Sequence, residues 1–306
     1  MLAIDGGQSA IRVCHSETSG SVELEGVSRL EGDTLAAVAA AVAEGWRQVG
    51  APATDRAVLG LTTAPTDPSS RRRLCQAVAD GVQTSEVWLA DDAVTGHAGA
   101  LSMGWGVSVI VGTGVACLAA PRDGTPSIVG GHGYLMGDEG GAFWVGSAGL
   151  RAVLKAVDGR GPSTALVAPA EGHFDGLDDV GDRIHSSQRP VDSIARFAPA
   201  VLAAAEAGDA VASEIVDASA TELAALVRAA TRHLHTAGGA IPLALGGRLV
   251  HDGPLRTRLE RLVASGSPAV HMRSADGSPL QGALLLGTAD HPGRYRDLVH
   301  VWGAEA

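Results

Sequence analysis

The sequence has few aromatic residues, few cysteines and no long apolar run. Aromatic residues make up only 3% of the 306 residues although 45% are hydrophobic, so the core has to be packed mainly by Ala, Val and Leu. Small side chains suit close contacts between helices and sheets. The three cysteines, Cys14, Cys75 and Cys117, lie far apart and match neither a disulfide framework nor a Cys-x-x-Cys metal site. We expect a globular protein whose elements pack closely.

Positive charge is also scarce and scattered. The chain has 23 Lys and Arg against 34 Asp and Glu, a formal net charge of −11, which argues against nucleic acid as a partner. One basic cluster, Arg71-Arg72-Arg73, opens a predicted helix and is interpreted as its solvated face rather than as a binding patch. No apolar run approaches the roughly 20 residues that span a bilayer, and Met1 leads directly into a strand-like segment without an export signal. We expect a cytoplasmic protein with no membrane partner.

Three glycine turns follow short apolar runs at wide intervals. They are Asp5-Gly6-Gly7-Gln8-Ser9, Gly112-Thr113-Gly114 and Gly246-Gly247. Glycine lets backbone amides approach a phosphate without a Cβ in the way. An ordinary hairpin also needs such turns, because Asp-Gly is a common turn dipeptide. Together the turns predict a nucleotide held between two domains, with Asp5 able to hold Mg²⁺ through water.

Two adjacent carboxylates follow a predicted strand at 86–90. The strand delivers Asp91 and Asp92 at its carboxyl end, where open α/β sheets gather ligand-binding groups. One of the pair can cap the helix that begins near Ala93, which is what paired acids at this point often do. The other can accept the proton of an attacking hydroxyl, and phosphoryl transfer needs little more than such a base, a metal ion and amide donors.

The densest unusual stretch is Gly130–Gly141. Six glycines among twelve residues surround Asp138 and Glu139, so the stretch is predicted to be neither helix nor strand. A flexible surface loop is one interpretation, but the interleaved apolar side chains favour an ordered one. Asp138 and Glu139 are then candidates to bind polyol hydroxyls.

Hairpin, helix and strand occur twice in the same order along the chain. This pattern predicts two domains, residues 1–103 and 104–306, with a boundary near Met103-Gly104. The polar, Gly- and Asp-rich stretch 159–182 is predicted to be irregular, and the chain is predicted to be helical for about forty residues from Ile194.

At these residues the chain resembles the acetate and sugar kinase, Hsc70 and actin superfamily, within it the branch of N-acetylglucosamine kinases and BadF/BadG/BcrA/BcrD-type ATPases. The resemblance runs from Leu2 to about Gly287 and rests on the order of the three turns, the pair Asp92-Ala93, and the stretch Gly131-x-Gly-x-x-x-Gly-Asp-Glu-Gly. It implies an α/β fold of two ribonuclease H-like, actin-like ATPase domains with a central cleft. It also implies ATP and Mg²⁺ as cofactors, a small-molecule sugar as substrate, and a homodimer.

The resemblance implies a role for each matched residue. Asp92 is expected to be the catalytic base on the sugar 6-hydroxyl and to contact the substrate, and Asp5 is expected to organise Mg²⁺. The residues expected to bind the nucleotide are Gly6, Gly7, Gln8, Ser9, Gly112, Thr113, Gly114, Gly246 and Gly247. Gly131 and Asp138 are expected to bind sugar hydroxyls. The implied activity is phosphorylation of N-acetylglucosamine or a related N-acetylhexosamine.

Three departures from the family pattern bear on the substrate. The loop 27–33 lacks the usual sugar-binding Asn and leaves Ser28, Glu31 and Asp33 as substitutes; Val115 replaces a frequent Ser, and His132 a frequent Trp. An acidic substitute would favour a sugar with a free amine, so a glucosamine kinase is one alternative. A BadF-type ATPase that activates a partner enzyme is another. It is disfavoured because no second cysteine accompanies Cys117 to hold an iron-sulfur cluster.

Overall fold

The structure is a computed structural model that describes residues 1–7, 9–27, 33–62, 64–232, 234, 239–266 and 269–303. Its strands are, in chain order, β1 Leu2–Gly6, β2 Ala10–His15, β3 Ser21–Glu25, β4 Arg56–Leu61, β5 Glu86–Asp91, β6 Gly106–Val111, β7 Val115–Ala120, β8 Ser127–Ile128, β9 Ile241–Gly246, β10 Val270–Ser274 and β11 Val299–Trp302. Its α-helices are α1 Thr34–Gln48, α2 Pro68–Val82, α3 Asp92–Ala100, α4 Ala142–Val157, α5 Val167–His173, α6 Val180–Ser186, α7 Pro190–Ala195, α8 Ala198–Glu206, α9 Ala210–Arg232, α10 Gly253–Ala264 and α11 Pro279–Gly287.

The first sheet has six strands in the order β11-β5-β4-β1-β2-β3. Strand β1 forms the predicted hairpin with β2 and runs parallel to β4, which in turn runs parallel to β5. The carboxyl ends of β1, β4 and β5 therefore lie at one edge. Gly6, Leu61 and Asp91 stand side by side there in the register of the three strands.

The two faces of this sheet are covered by different helices. Leu59 and Leu61 belong to the core formed with α1 and α2, whose buried side chains are mostly Val, Leu and Ala. Because side chains alternate along a strand, Gly60 faces the other way. A Cβ on Gly60 would overlap the side chain of Thr95 in α3. Glycine here lets α3 approach the strand backbone.

Helix α11 packs on α3 at a second glycine contact. A Cβ on Gly282 would overlap the carbonyl oxygen of Thr95, and a Cβ on Gly99 would overlap the carbonyl oxygen of Ser278. The two helices thus meet backbone to backbone. The close contacts expected from a sequence of small aliphatic residues are confirmed at these positions.

The second sheet has five strands in the order β10-β9-β6-β7-β8. The helices α4, α7, α8, α9 and α10 pack on one another along the chain that connects β8 to β10. Stretch 159–182 was expected to be irregular, and this expectation is wrong, because α5 lies within it and α6 begins there. The short apolar segments around Leu166 and Val180 are buried and explain why helices form despite the polar composition.

The chain separates into two compact units. The first contains Met1–Ser108, Leu118–Ile128 and Ser274–Ala306, and the second contains Val109–Cys117 and Val129–Arg273. This grouping differs from residues 1–103 and 104–306 because Leu118–Ile128 and Ser274–Ala306 belong to the first unit. In the last segment, α11 packs on α3, β1 and β4. The domain boundary near Met103 stays a prediction. Over the described part of the chain, no helix combines the length and apolar character required to cross a bilayer.

Candidate functional site

The first unit gathers several of the predicted site residues at the carboxyl edge of its sheet. Gly6 ends β1, Asp91 ends β5, and Asp92 opens α3 directly after it. The backbone N–H of Thr62, just past β4, donates to the carbonyl of Gly6 over 3.0 Å. A hydrogen bond thus joins the end of β1 to the residue that follows β4.

Asp91 and Asp92 have different tasks. Asp91 is the N-cap of α3, and its Oδ1 accepts the backbone N–H of Ala93 at 3.0 Å. A side-chain oxygen at this position satisfies an amide that the helix itself leaves unpaired. The expectation that one acid of the pair caps the helix is confirmed, and Asp91 is that acid.

Asp92 instead turns toward β4. The hydroxyl of Thr62 donates to Oδ2 of Asp92 over 2.6 Å, a short hydrogen bond that fixes the direction of the carboxyl group. Sequence patterns did not single out Thr62, although a hydroxyl residue directly after a buried parallel strand was a usable signal.

The electrostatic surroundings of Asp92 favour proton uptake. Burial raises the pKa of Asp92 above the ordinary range, and the charge of Asp91 raises it further. The hydrogen bond from Thr62 acts in the opposite direction and lowers the pKa. Carboxylates with raised pKa values are frequent among general bases.

Asp5 lies in a cross-strand row on the face that carries α3. The row is Ala90, Gly60, Asp5, Arg12 and Glu23. Arg12 donates to Asp5 Oδ2 at 3.3 Å and to Glu23 Oε2 at 2.9 Å, so its guanidinium is shared by two carboxylates. Burial raises the pKa of Asp5, while the adjacent Arg12 charge lowers it. Arg12 is a second residue that sequence patterns missed.

The donor set suits Mg²⁺ better than a metal caged by protein. No group of three or more His, Cys, Asp or Glu side chains that could hold a metal occurs among the described residues. Mg²⁺ commonly uses one or two carboxylates and completes its shell with water and substrate phosphates. Asp5, whose side chain is 14% exposed, can serve as such a carboxylate.

In the turn after β1, the space around Gly6 is crowded and the space around Gly7 is more open. A Cβ on Gly6 would lie 2.5 Å from Leu61 Cδ2, whereas one on Gly7 would have its nearest neighbours at 3.6 Å. The N–H of Gly7 donates to Ala10 O at 2.8 Å, and Ser9 O accepts from Gly26 N at 3.3 Å. Gln8 lies outside the described residues.

In the second unit, Gly112-Thr113-Gly114 is the tip of the β6–β7 hairpin. The N–H of Gly112 donates to Gly114 O at 2.9 Å and closes the turn. The N–H groups of Ala142 and Phe143, at the start of α4, donate to the carbonyls of Gly112 and Thr113 at 2.9 and 3.0 Å. The turn carbonyls are thus tied to a helix N-terminus.

The predicted adenosine turn lies against the same hairpin. Gly247 has a φ of +96°, and a Cβ there would overlap the carbonyl of Val111, the residue just before Gly112. Only glycine meets both constraints. Gly246, the last residue of β9, is thereby brought beside the end of β6.

The glycine-rich stretch 130–141 is neither helix nor strand, as predicted. Gly131 is exposed with a φ of +71°, and Asp138 is half-buried with a φ of +58°. A Cβ on Gly114 would overlap the carboxylate of Asp138, so the acid lies directly against the hairpin tip. Leu135 and Met136, which lie between Gly131 and Asp138 in the sequence, are 80% and 79% exposed.

The carboxylate of Asp33, one of the three substitutes for the missing Asn, already accepts hydrogen bonds within the protein. Its Oδ1 caps α1 by accepting from Leu35 N at 3.1 Å and Ala36 N at 3.3 Å, and its Oδ2 accepts from Arg73 at 2.8 Å. A carboxylate used in this way does not favour the amine interpretation. Ser28 and Glu31 lie outside the described residues.

The cysteines are buried and unpaired. Cys14, Cys75 and Cys117 are all free, and burial raises the pKa of the Cys75 and Cys117 thiols to about 12. Protonated, buried thiols are poor cluster ligands. They give no support to an iron-sulfur site.

Comparison with curated proteins finds sugar kinases. The chain is 25% identical over 305 residues to the N-acetylmuramic acid/N-acetylglucosamine kinase of Clostridium acetobutylicum, covering 95% of this chain and 98% of that protein. It is 29% identical over 188 residues to the N-acetyl-D-glucosamine kinase of Dictyostelium discoideum, covering 60% of this chain and 59% of that protein.

Solved structures give the same fold. A candidate N-acetylglucosamine kinase from Porphyromonas gingivalis has a TM-score of 0.73 at 17% identity, covering 94% of this chain and 99% of its own. A candidate N-acetylglucosamine kinase from Chromobacterium violaceum has a TM-score of 0.67 at 24% identity, covering 93% and 97%. The predicted α/β, actin-like ATPase fold is confirmed.

The sequence itself carries the family assignment, and the predicted resemblance is confirmed. The profile of one family matches residues 2–287 and so includes every predicted site residue. The chain belongs to the BadF/BadG/BcrA/BcrD ATPase family.

Proposed function

We propose that the protein is an ATP-dependent kinase that phosphorylates the 6-hydroxyl of N-acetylglucosamine or a related N-acetylhexosamine. Membership in an ATPase family supports ATP use. The relative that aligns over nearly the whole chain is named a kinase of N-acetylmuramic acid and N-acetylglucosamine, which supports an N-acetylated amino sugar as acceptor.

One observation carries the proposal: Asp92 is the acid of its pair that is not used to cap α3. Its neighbour Asp91 occupies the cap, and Thr62 orients the Asp92 carboxylate. Thr62 also contacts the first glycine turn, because its backbone N–H donates to Gly6 O. A base beside a phosphate turn is what transfer of a phosphoryl group to a hydroxyl requires.

In the proposed reaction, Asp92 accepts the proton of the sugar hydroxyl. The hydroxyl oxygen forms a bond to the γ-phosphorus of ATP while the bond from that phosphorus to the β–γ bridging oxygen breaks. The products are the sugar phosphate and ADP, and the proton resides on Asp92 until solvent removes it.

The nucleotide is assigned to the glycine turns. In this proposal Gly6, Gly7, Gly112 and Gly114 let the phosphates approach the backbone, with Gln8 in the first turn, and the hydroxyls of Ser9 and Thr113 bind phosphate oxygens. Gly246 and Gly247 admit the adenosine. Asp5 holds Mg²⁺ through water, and the bound ion supplies neutralisation of the phosphate charge.

The acceptor is assigned to Gly131 and Asp138 together with Asp92. The sequence contains no asparagine at any position, so another group takes the place of the sugar-binding amide that the family pattern implies. Asp33 is tied to α1 and Arg73, which favours an N-acetyl sugar over a free amino sugar. A cytoplasmic location and a homodimer are part of the proposal, and light scattering of the purified protein tests the homodimer.

A coupled assay for ADP release tests the activity. N-Acetylglucosamine, N-acetylmuramate, glucosamine and glucose are compared at equal concentration with ATP and Mg²⁺, and phosphorus NMR of the product locates the phosphate. We expect the N-acetyl sugars to react at carbon 6. Absence of sugar-dependent ADP release with all four would overturn the proposal, and sugar-independent hydrolysis would favour an ATPase that acts on a partner.

A further inference from the structure

The acceptor loop and the second phosphate turn touch at one point. Asp138 belongs to the stretch assigned to the sugar, and Gly114 belongs to the turn assigned to phosphate. The position that a Cβ on Gly114 would occupy overlaps Oδ2 of Asp138 and lies 2.8 Å from its Cγ. The carboxylate therefore packs directly on the Cα of Gly114.

The backbone around this contact is shared by both segments. A Cβ on Gly141 would lie 3.0 Å from the carbonyl oxygens of both Asp138 and Thr113. The N–H of Phe143 donates to Thr113 O at 3.0 Å, and the N–H of Gly141 donates to Asp138 O at 3.0 Å. The start of α4 thus fixes the two segments against each other.

The other side of the loop is anchored to α9. The hydroxyl of Ser219 donates to Gly140 O at 2.9 Å, and a Cβ on Gly140 would lie 2.7 Å from Leu223 Cγ. Gly140 has a φ of +86° and Asp138 a φ of +58°, both in the region that favours glycine. A loop held at both sides in this conformation has little freedom to move Asp138 without moving its neighbours.

We infer that Asp138 couples the acceptor to the phosphate turn, so that sugar binding at this carboxylate strengthens nucleotide binding at Gly112-Thr113-Gly114. The inference rests on the proposed function for the identity of the two ligands. A sugar hydroxyl that fixes the Asp138 carboxylate also fixes the surface against which Gly114 lies. Linkage makes the effect reciprocal, and such couplings amount to about 5–150-fold in affinity.

Gly114→Ala is the decisive variant. Gly114 does not have a positive φ, so alanine fits its backbone, and the added methyl group meets only the Asp138 carboxylate within 3.2 Å. Gly112→Ala is the matched control, because it places the same methyl group on the same turn with nothing within 4 Å. Asp138→Gly removes the obstacle and suits the backbone, whereas Asp138→Asn keeps its size.

Calorimetry measures the affinity for Mg-ADP with and without N-acetylglucosamine. We expect the sugar to tighten nucleotide binding about tenfold in the wild type, and Gly114→Ala to reduce this factor to near one and to weaken sugar binding several-fold. In an Asp138→Gly background, Gly114→Ala should have no further effect on these affinities, whereas in an Asp138→Asn background it should still have one. Gly112→Ala and Asp138→Gly should have additive effects. Independent effects of Gly114→Ala and Asp138→Gly would overturn the coupling.

The same cycle without sugar separates this inference from the proposed activity. We expect Gly114→Ala to change Mg-ADP affinity in the Asp138 protein but not in the Asp138→Gly protein, whichever sugar the enzyme uses. If Gly114→Ala changes Mg-ADP affinity equally in both backgrounds, the contact between Asp138 and Gly114 does not couple the two segments, even if the sugar is phosphorylated. A nonadditive cycle in a protein that phosphorylates none of the four sugars would leave the link standing and remove the assigned substrate.

Discussion

The hydroxyl of Thr62 donates a hydrogen bond of 2.6 Å to Oδ2 of Asp92, and the backbone N–H of the same residue donates to Gly6 O at 3.0 Å. One residue after β4 therefore links the proposed base to the turn proposed for phosphate. The parallel register of β4 and β5 creates this link, because it sets Leu61 beside Asp91.

Thr62→Val tests the role of the hydroxyl. The substitution keeps the branched shape and removes the donor, and a hydrogen bond to a charged group is worth about 1.5–3 kcal/mol. We expect kcat to fall at least about tenfold with little change in the Michaelis constant for ATP. Because the hydrogen bond lowers the pKa of Asp92, its loss should also shift the acidic limb of the pH–rate profile to higher pH.

Thr62→Ser is the matched control for this variant. It keeps the hydroxyl, so the acidic limb should stay where it is in the wild type. A Thr62→Val protein with an unchanged pH profile would show that the hydroxyl does not act through Asp92.

Asp92→Asn tests the base itself. The amide is nearly the same size and cannot accept the hydroxyl proton, so turnover should fall by about 10²–10⁴-fold while sugar binding is largely retained. Calorimetric sugar affinity and the rate of ADP release measure the two properties separately. A fully active Asp92→Asn enzyme would remove Asp92 from the mechanism.

Asp91→Asn tests the electrostatic coupling within the pair. Asparagine is also a good N-cap, so α3 should keep its cap and the protein its stability. The negative charge of Asp91 raises the pKa of Asp92, and its removal should therefore move the acidic limb of the rate profile to lower pH. The pH dependence of kcat/KM in the two proteins provides the measurement; a shift to higher pH would contradict the assignment.

Gly60→Ala tests the close packing of α3 on the sheet. The added Cβ would overlap Thr95, and overpacking of this kind destabilises by about 1–3 kcal/mol. We expect a lower midpoint in urea unfolding and a lower kcat, since α3 carries Asp92. Gly172→Ala in α5 is the control, because nothing lies within 4 Å of its added Cβ and alanine favours a helix.

Features set by neighbouring residues could be read from the sequence. The β1–β2 hairpin and the cap before α3 were predicted because short apolar runs, glycine turns and capping acids act locally. From the family motifs we also predict which segments bind phosphate and which bind sugar. The sequence could not decide whether Asp91 or Asp92 caps α3, because that depends on the direction in which each carboxylate points.

Features set by register and by distant packing could not be read in this way. The contacts of Thr62 with Asp92 and of Asp5 with Arg12 depend on which strand residues stand opposite each other. The contact of Asp138 with Gly114 joins positions 24 residues apart through the geometry of α4. Helices α5 and α6 form in a polar stretch because a few apolar side chains in it are buried against residues from other parts of the chain.

The return of Ser274–Ala306 to the first unit constrains the order in which the protein can mature on the ribosome. Strands β1 to β5 are synthesised first, but β11, which completes their sheet, and α11, which seats α3, emerge only after all of Val129–Arg273 has been made. Chains emerge N-terminus first, so the nascent first unit exposes the unpaired edge of β5 and an uncovered α3 during that interval. The helix that begins with Asp92 therefore reaches its final environment only after Val129–Arg273 has been synthesised.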